Sequence, residues 1–176
     1  MADKIGLDFH GVISAEPEKF KIFCHEIRKK GIKVYVISGG PRNDVEKYLQ
    51  EQGIEYDVVW AILDLCEAKG TARFYDDGSF FVPTEIWNKA KAEYCIKEDI
   101  KFHVDDSPLY GRYFVTPYCE YDIDNGCCCL SNQLKINFAE PKEAADIIAR
   151  FLNDLELIHQ LKDEGDDVSC HNRAPK

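Results

Sequence analysis

The stretch Lys4-Ile5-Gly6-Leu7-Asp8-Phe9-His10-Gly11 decides how the rest of the chain is interpreted. A short apolar run ends in the carboxylate of Asp8, and the glycine Gly11 follows soon after. This pattern predicts a buried strand that carries Asp8 to the carboxyl edge of a sheet, with a loop beyond it. Because open α/β sheets bind their ligands at that edge, Asp8 is the first candidate functional residue.

Helical and strand patterns alternate along the rest of the chain. The predicted elements, in chain order, are a helix over 14–30, a strand over 32–37, a helix over 41–52, a strand over 56–63 whose tail overlaps a helix over 63–69, a hairpin over 73–82, a helix over 84–97, a strand over 100–104, one or two strands within 111–124, a strand over 133–136 and a helix from 141 to about 161. The β-α-β-α order predicts a parallel sheet with right-handed crossovers. We therefore expect one three-layer, Rossmann-like α/β domain over residues 1–161, with a mostly parallel central sheet and no large cap. The polar segment 162–176 is predicted to be a disordered tail.

Turn and cap residues support several of these boundaries. Pro17 suits the first turn of a helix, and Gly53 suits the position just after a helix end. Asp77-Gly78 between aromatic runs is the strongest hairpin signal in the chain. Thr84 is the predicted N-cap of the helix that follows.

The composition limits the classes of partner. The 176 residues are 45% hydrophobic and 31% charged, which is typical of a globular protein, and the net charge of −10 argues against a broad nucleic-acid surface. No apolar run approaches the roughly 18 residues that a membrane span needs, so we expect no membrane partner. The N-terminus lacks the apolar region of a signal peptide, which makes a cytoplasmic location the expectation.

Eight cysteines are many for a chain of this length. Without a secretion signal we expect reduced thiols rather than a disulfide framework. The triplet Cys127-Cys128-Cys129 is predicted to lie in a loop. A weaker hypothesis gives these residues a zinc ion together with Cys119, but adjacent cysteines point in different directions and the spacing is not that of structural zinc sites.

Three predicted strands end in chemically reactive residues, at Asp8, Ser38 and Asp105-Asp106. In a parallel sheet these ends share one edge, so the residues are expected to converge. Carboxylates brought together in this way favour a bound divalent metal, and hard oxygen ligands favour Mg²⁺. Ser38 and the two glycines after it suit phosphate oxygens at a helix N-terminus. Lys91 is the candidate for neutralising the remaining negative charge.

This ordered set resembles the haloacid dehalogenase superfamily of phosphotransferases. Asp8 matches the nucleophile of the first motif, Ser38 the hydroxyl of the second, Lys91 the lysine of the third and Asp105-Asp106 the acidic fourth. The segment Lys91-Ala-Glu-Tyr-Cys95, with its spacing to the acidic pair, is similar to the deoxynucleotidase-like branch. The resemblance covers residues 4 to about 110.

The resemblance implies a phosphomonoester hydrolase. Asp8 would attack phosphorus to form an aspartyl-phosphate, which water would then hydrolyse. Mg²⁺ would be held by Asp8, the backbone carbonyl of His10, and Asp105 or Asp106. The resemblance also implies that the phosphoryl oxygens would be held by Ser38, Gly39 and Lys91.

One departure from the family pattern affects the expected activity. The superfamily's usual second aspartate, which serves as general acid and base, is His10 here. Loss of general acid–base catalysis typically costs about 10²–10⁴-fold in rate. We therefore expect either a slow or unusual phosphatase, or a phosphate-binding or scaffold relative without turnover.

Several alternatives stay open at this stage. Asp8 is also compatible with a structural strand-end carboxylate, and Lys89 competes with Lys91 as the phosphate lysine. Trp60, Trp87 and the aromatic hairpin fit stacking on a substrate or packing in the core. The substrate is expected to be a phosphorylated small molecule or macromolecule. A site without a large cap is open to solvent, which also fits a homo-oligomer in which a partner subunit supplies a lid.

Overall fold

The computed structural model describes residues 2–130 and 134–166, with side chains described as far as residue 155. Seven strands form one mixed sheet, and two more form a separate hairpin. The strands of the sheet are β1 Lys4–Leu7, β2 Lys33–Ser38, β3 Val58–Ala61, β6 Phe102–Asp105, β7 Tyr118–Asp122, β8 Cys127–Leu130 and β9 Leu134–Asn137, in the spatial order β3-β2-β1-β6-β7-β8-β9. The hairpin pairs β4 Arg73–Phe74 with β5 Phe80–Phe81.

The sheet is parallel from β3 through β7, and β8 runs antiparallel to both β7 and β9. Helices flank it. They are α1 Pro17–Lys29, α2 Arg42–Gln52, α3 Ile62–Ala68, α4 Thr84–Lys97, the single turn α5 Pro108–Gly111, and α6 Pro141–Asp166. The prediction of a mostly parallel α/β sheet is therefore confirmed.

Strand β2 shows why helices cover both faces of the sheet. Val34 and Val36 belong to the main core, which also contains residues of α1, α2 and α6. Tyr35 and Ile37 belong to a second cluster that includes Cys95 of α4. Because side chains alternate along a strand, an apolar residue at every one of these positions requires cover on each face.

The strand order places a switch point beside β1. The chain leaves β1 toward β2 and β3 on one side, and later returns to place β6 on the other side. The register pairs Leu7 with Val104, and the Asp8 amide donates to the Val104 carbonyl at 2.8 Å. Asp8 and Asp105 therefore leave adjacent strands side by side, at the crevice where ligands of such sheets bind.

Most predicted boundaries differ only slightly from the structure, because element ends depend on cap geometry. Thr84 is not the N-cap: α4 begins at Thr84, after an extended Pro83, and no side chain caps it. Gly53 follows α2 in the left-handed conformation, as predicted. Helix α6 runs to Asp166 rather than ending near residue 161, and the rest of the predicted tail, 167–176, lies outside the described residues.

The cysteine triplet was wrongly predicted to be a loop. It forms most of β8, in which Cys127 and Cys128 are buried. Buried cysteine behaves as a small apolar residue, which suits a sheet interior. Only one strand, β7, forms within 111–124, and Gln133, at the start of the strand predicted over 133–136, lies outside the described residues.

Cys119 on β7 and Cys128 on β8 form a disulfide, so the expectation of reduced thiols is wrong for this pair. Antiparallel pairing brings the two residues together, with 5.5 Å between their Cα atoms. Cys127 and Cys129 remain free thiols. The zinc hypothesis loses two of its four proposed ligands to this bond.

Candidate active site

Asp8 is fixed where β1 ends. Its side chain is almost fully buried, and Oδ1 accepts a 2.7 Å hydrogen bond from the Phe9 amide. The chain then makes a tight turn, in which the Ser14 amide donates to the Phe9 carbonyl at 2.8 Å. Gly11 adopts a φ of 74° within this turn, a conformation that favours glycine.

Lys91 of α4 reaches down between two carboxylates. Its ammonium Nζ lies 2.8 Å from Asp8 Oδ1 and 2.7 Å from Asp105 Oδ2, and its side chain is 3% exposed. Lys89 instead pairs with Glu85 and remains 41% exposed. The geometry therefore places Lys91, and not Lys89, in the cluster.

Asp105 is fully buried and held on both carboxylate oxygens. Oδ1 accepts a 3.0 Å hydrogen bond from the Ser107 amide, and Oδ2 lies 3.3 Å from His103 Nε2 as well as against Lys91. Asp106 is exposed and faces Gly11: a Cβ at Gly11 would lie 2.0 Å from Asp106 Oδ2. The glycine thus leaves the space that the second carboxylate occupies.

The predicted convergence of carboxylates is observed. Carboxylate oxygens from Asp8, Asp105 and Asp106 lie within 4.8 Å of one another, the only such group of potential metal ligands among the described residues. Hard oxygen donors of this kind suit a divalent cation such as Mg²⁺, and the absent side chain of Gly11 leaves room for them. Asp8 and Asp106 line the pocket, whereas Asp105 is held beneath it by Lys91 and His103.

The charges in this cluster do not balance, because it contains three carboxylates and one buried ammonium, which pairs with Asp8 and Asp105. Burial raises the pKa of Asp8 to about 7; Lys91 opposes this rise and Asp105 adds to it. Burial would also raise the pKa of Asp105, but the His103 hydrogen bond and the Lys91 charge lower it to about 2. Burial opposes the charge on Lys91, yet the two carboxylates raise the pKa of Lys91, so it remains an ammonium. A divalent cation would offset the excess negative charge.

The phosphate-binding residues predicted after β2 do not all line the pocket. Ser38 is fully buried; its Oγ accepts a 3.2 Å hydrogen bond from the Gly40 amide and lies 3.4 Å from His10 Nδ1. Gly39, Gly40 and His10 line the pocket, and Ser38 does not. His10 therefore covers the hydroxyl that was predicted to contact phosphate.

His103 is a site residue that the sequence interpretation missed. It is fully buried and stacks on Phe114 with 4.9 Å between ring centroids. Its ring also lies against Gly6, where a Cβ would be 2.4 Å from His103 Nδ1. Two signals were present: His103 precedes Asp105 by two strand positions, and a glycine inside a strand often marks a close approach.

The aromatic side chains of the pocket were identified from the sequence only in part. Phe80, Trp87 and Tyr110 line it together with the charged residues. Trp87 packs on Gly39, and its Nε1–H donates a 2.9 Å hydrogen bond to Tyr110 Oη. The sequence left stacking on a substrate and core packing as alternatives for Trp87 and for the aromatic hairpin that carries Phe80, but nothing in the sequence pointed to Tyr110.

The chain matches no protein-family model, no curated protein and no solved structure. Within the described ranges, no helix is both long and apolar enough to cross a membrane.

The raised pKa of Asp8 predicts a pH-dependent stability in chelator. The folded protein binds this proton more tightly than the unfolded chain, so the stabilisation is present below about pH 4 and is lost as pH rises through about 7. The shift from 3.8 to about 7 sets an upper limit of about 4 kcal/mol. Asp8→Asn removes the loss, and we expect its thermal midpoint to exceed that of the wild type by at least about 3 °C at pH 8.

Thermal melts in EDTA at pH 5 and pH 8 measure this effect. The advantage of Asp8→Asn should be smaller at pH 5, where the wild-type carboxyl is protonated. An equal advantage at both pH values, or a lower midpoint at pH 8, would show that Asp8 does not carry an unfavourable charge.

Proposed function

We propose that the chain is a Mg²⁺-dependent phosphomonoester hydrolase that works through Asp8. The observation that carries the proposal is the buried Lys91 ammonium between Asp8 and Asp105, at the floor of a pocket that Asp106 also lines. The order of the four motifs, with its resemblance to the haloacid dehalogenase superfamily, supports the same activity.

The hydrogen bonds of Asp8 select the attacking oxygen. Oδ1 accepts from the Phe9 amide and from Lys91, so Oδ2 is the oxygen that these groups leave to the substrate. Oδ2 would bond to phosphorus as the bond from phosphorus to the ester oxygen breaks, which gives an aspartyl-phosphate and the oxyanion of the alcohol, and that oxyanion then takes a proton from solvent. Attack of water on that phosphorus would return the Asp8 carboxylate and release phosphate.

The neighbouring residues would orient the phosphoryl group. Lys91 and the backbone around Gly39 line the pocket beside Asp8 and can hold phosphoryl oxygens. Mg²⁺ held by Asp8, Asp106, the His10 carbonyl and the adjoining Asp105 would supply positive charge against the repulsion between nucleophile and phosphate. Ser38 would reach a phosphate oxygen only if His10 moved off its hydroxyl.

His10 is suited to the second step of this reaction, in which water hydrolyses the aspartyl-phosphate. Burial and the nearby Lys91 charge lower the pKa of His10 from its ordinary value, so the imidazole is neutral at pH 7. A neutral imidazole can accept a proton from the hydrolytic water, but it cannot protonate the departing alcohol. The proposal therefore favours substrates whose alcohol leaves without a proton.

A second candidate function is phosphate binding without turnover. Two observations favour it: His10 stands where the superfamily's acid–base aspartate is expected, and it covers the Ser38 hydroxyl. This candidate predicts that phosphate and Mg²⁺ raise the thermal midpoint while no phosphate ester is hydrolysed.

Hydrolysis of an aryl phosphate, with and without Mg²⁺, tests the leading proposal. We expect metal-dependent turnover that EDTA abolishes. Lys91→Met should lower kcat/KM by about 10²-fold or more, because it removes a charge beside the reacting group. Lys89→Met is the matched control on the same helix and should change kcat/KM less than about twofold, since its partner Glu85 is exposed.

Turnover that is independent of metal, or equal effects of the two lysine substitutions, would contradict the proposal. The fold of each variant is checked by its circular dichroism and thermal midpoint, because Lys91→Met also leaves two buried carboxylates without their cation.

Substitution of His10 separates the two candidate functions. His10→Asp restores the carboxyl that the resemblance to the superfamily expects as general acid and base at this position. We therefore expect His10→Asp to raise kcat for an alkyl phosphate by about 10²-fold, with a smaller rise for an aryl phosphate. A fall on both substrates would identify His10 as the working acid–base residue, and no activity in either protein would favour phosphate binding alone.

A further inference from the structure

Three aromatic side chains, Phe80, Trp87 and Tyr110, form one wall of the candidate active site, which we call the aromatic wall. They line the same pocket as Asp8 and Lys91. Within the described part of the chain, no aliphatic side chain contributes to this lining. The pocket encloses about 430 Å³, which is enough for more than a phosphate group.

Contacts with the rest of the protein hold the aromatic wall in place. Trp87 donates its indole N–H to Tyr110 Oη at 2.9 Å, and its six-membered ring packs so closely on Gly39 that a Cβ there would lie 2.8 Å away. The wall therefore sits directly against the glycine loop at the end of β2. Because these rings have few rotatable bonds and are already packed, little entropy is lost when a ligand contacts them.

Phe80 extends the wall toward solvent. It stacks on Trp87 with 5.6 Å between ring centroids and 28° between ring planes, yet 42% of it remains exposed. Its neighbour across the hairpin, Phe74, is 52% exposed and does not line the pocket. The hairpin turn is held by Asp77, which accepts hydrogen bonds from both the amide and the hydroxyl of Ser79.

The charges of the pocket restrict what can lie on this wall. Lys91 is the only lysine or arginine among the described lining residues, and it is already shared by Asp8 and Asp105. Asp106 faces the same space. A leaving group with a further negative charge would meet carboxylates and no unpaired cation, so an uncharged group fits better.

We propose that the phosphomonoester accepted by this site carries an uncharged, flat, unsaturated ring on its alcohol, and that this ring stacks on the Phe80–Trp87 wall. The proposal rests on the proposed function for the phosphate half of the ligand. It adds the chemical class of the other half. Offset stacking on aromatic side chains favours a flat ring over a saturated ring of similar size.

Two phosphonates that cannot be hydrolysed test the proposal by calorimetric titration in the presence of Mg²⁺. They are 2-phenylethylphosphonate and 2-cyclohexylethylphosphonate, which share charge and chain length and differ in the flatness of the ring. We expect the phenyl ligand to bind the wild type about fivefold more tightly, on the scale of one aromatic pair. Phe80→Leu should reduce this preference to less than about twofold.

Phe74→Leu is the matched control, because it removes a similarly exposed ring from the same hairpin and should leave the fivefold preference intact. Equal affinities of the wild type for both ligands, a preference that survives Phe80→Leu, or binding of neither ligand would overturn the proposal. Hydrolysis of aryl phosphate by the same preparations separates the two claims. Hydrolysis without a ring preference overturns this inference alone, and a ring preference without hydrolysis overturns the proposed function alone.

Discussion

The buried ammonium of Lys91 is the contact on which the rest of the site depends. It bridges Asp8 and Asp105. Asp8 follows β1 and Asp105 ends β6, so the parallel pairing of these adjacent strands brings the two carboxylates together at one edge of the sheet. Burying three charges is costly, and removing the shared cation would leave two buried carboxylates without a partner, which usually destabilises a fold strongly. The stability of α4 and the geometry of the strand ends are therefore linked through this lysine. The arrangement still leaves an excess of negative charge, which suits a site that receives a cation.

The sequence supported a prediction of this convergence because it follows from topology. Once β1, β2 and β6 are taken as parallel, Asp8, Ser38 and Asp105 must end at one edge, whatever the loops do. The choice of Lys91 over Lys89 required the structure, since both lie on one helix and only the packing of α4 shows which side chain points inward. The same limit applies to Cys119 and Cys128, whose disulfide depends on the register between β7 and β8.

Contacts between distant side chains account for the remaining differences. Nothing near Ser38 in sequence indicates that His10 would cover its hydroxyl, because that contact depends on the turn after β1. The Trp87–Tyr110 hydrogen bond joins α4 to α5, and it forms only after both helices have docked. Patterns of apolar residues report which faces are buried, and they do not report which polar groups meet across a pocket.

The environment of Asp8 and His10 links the fold to the proposed chemistry. Burial raises the pKa of Asp8 to about 7 and lowers the pKa of His10, so the metal-free protein disfavours charge on both side chains. A nearby cation would favour the Asp8 carboxylate that the proposed attack requires. The cluster would then be assembled by the fold but activated only when metal and substrate are both present.

Covalent phosphorylation of Asp8 during turnover is the step on which the proposed mechanism depends. The most direct measurement is mass spectrometry of the protein quenched in acid during steady-state hydrolysis of an aryl phosphate with Mg²⁺. We expect an added mass of one phosphoryl group on the peptide that contains Asp8, and its loss after treatment with hydroxylamine. Sustained turnover with no adduct on that peptide, or with the adduct on another residue, would contradict the proposed mechanism.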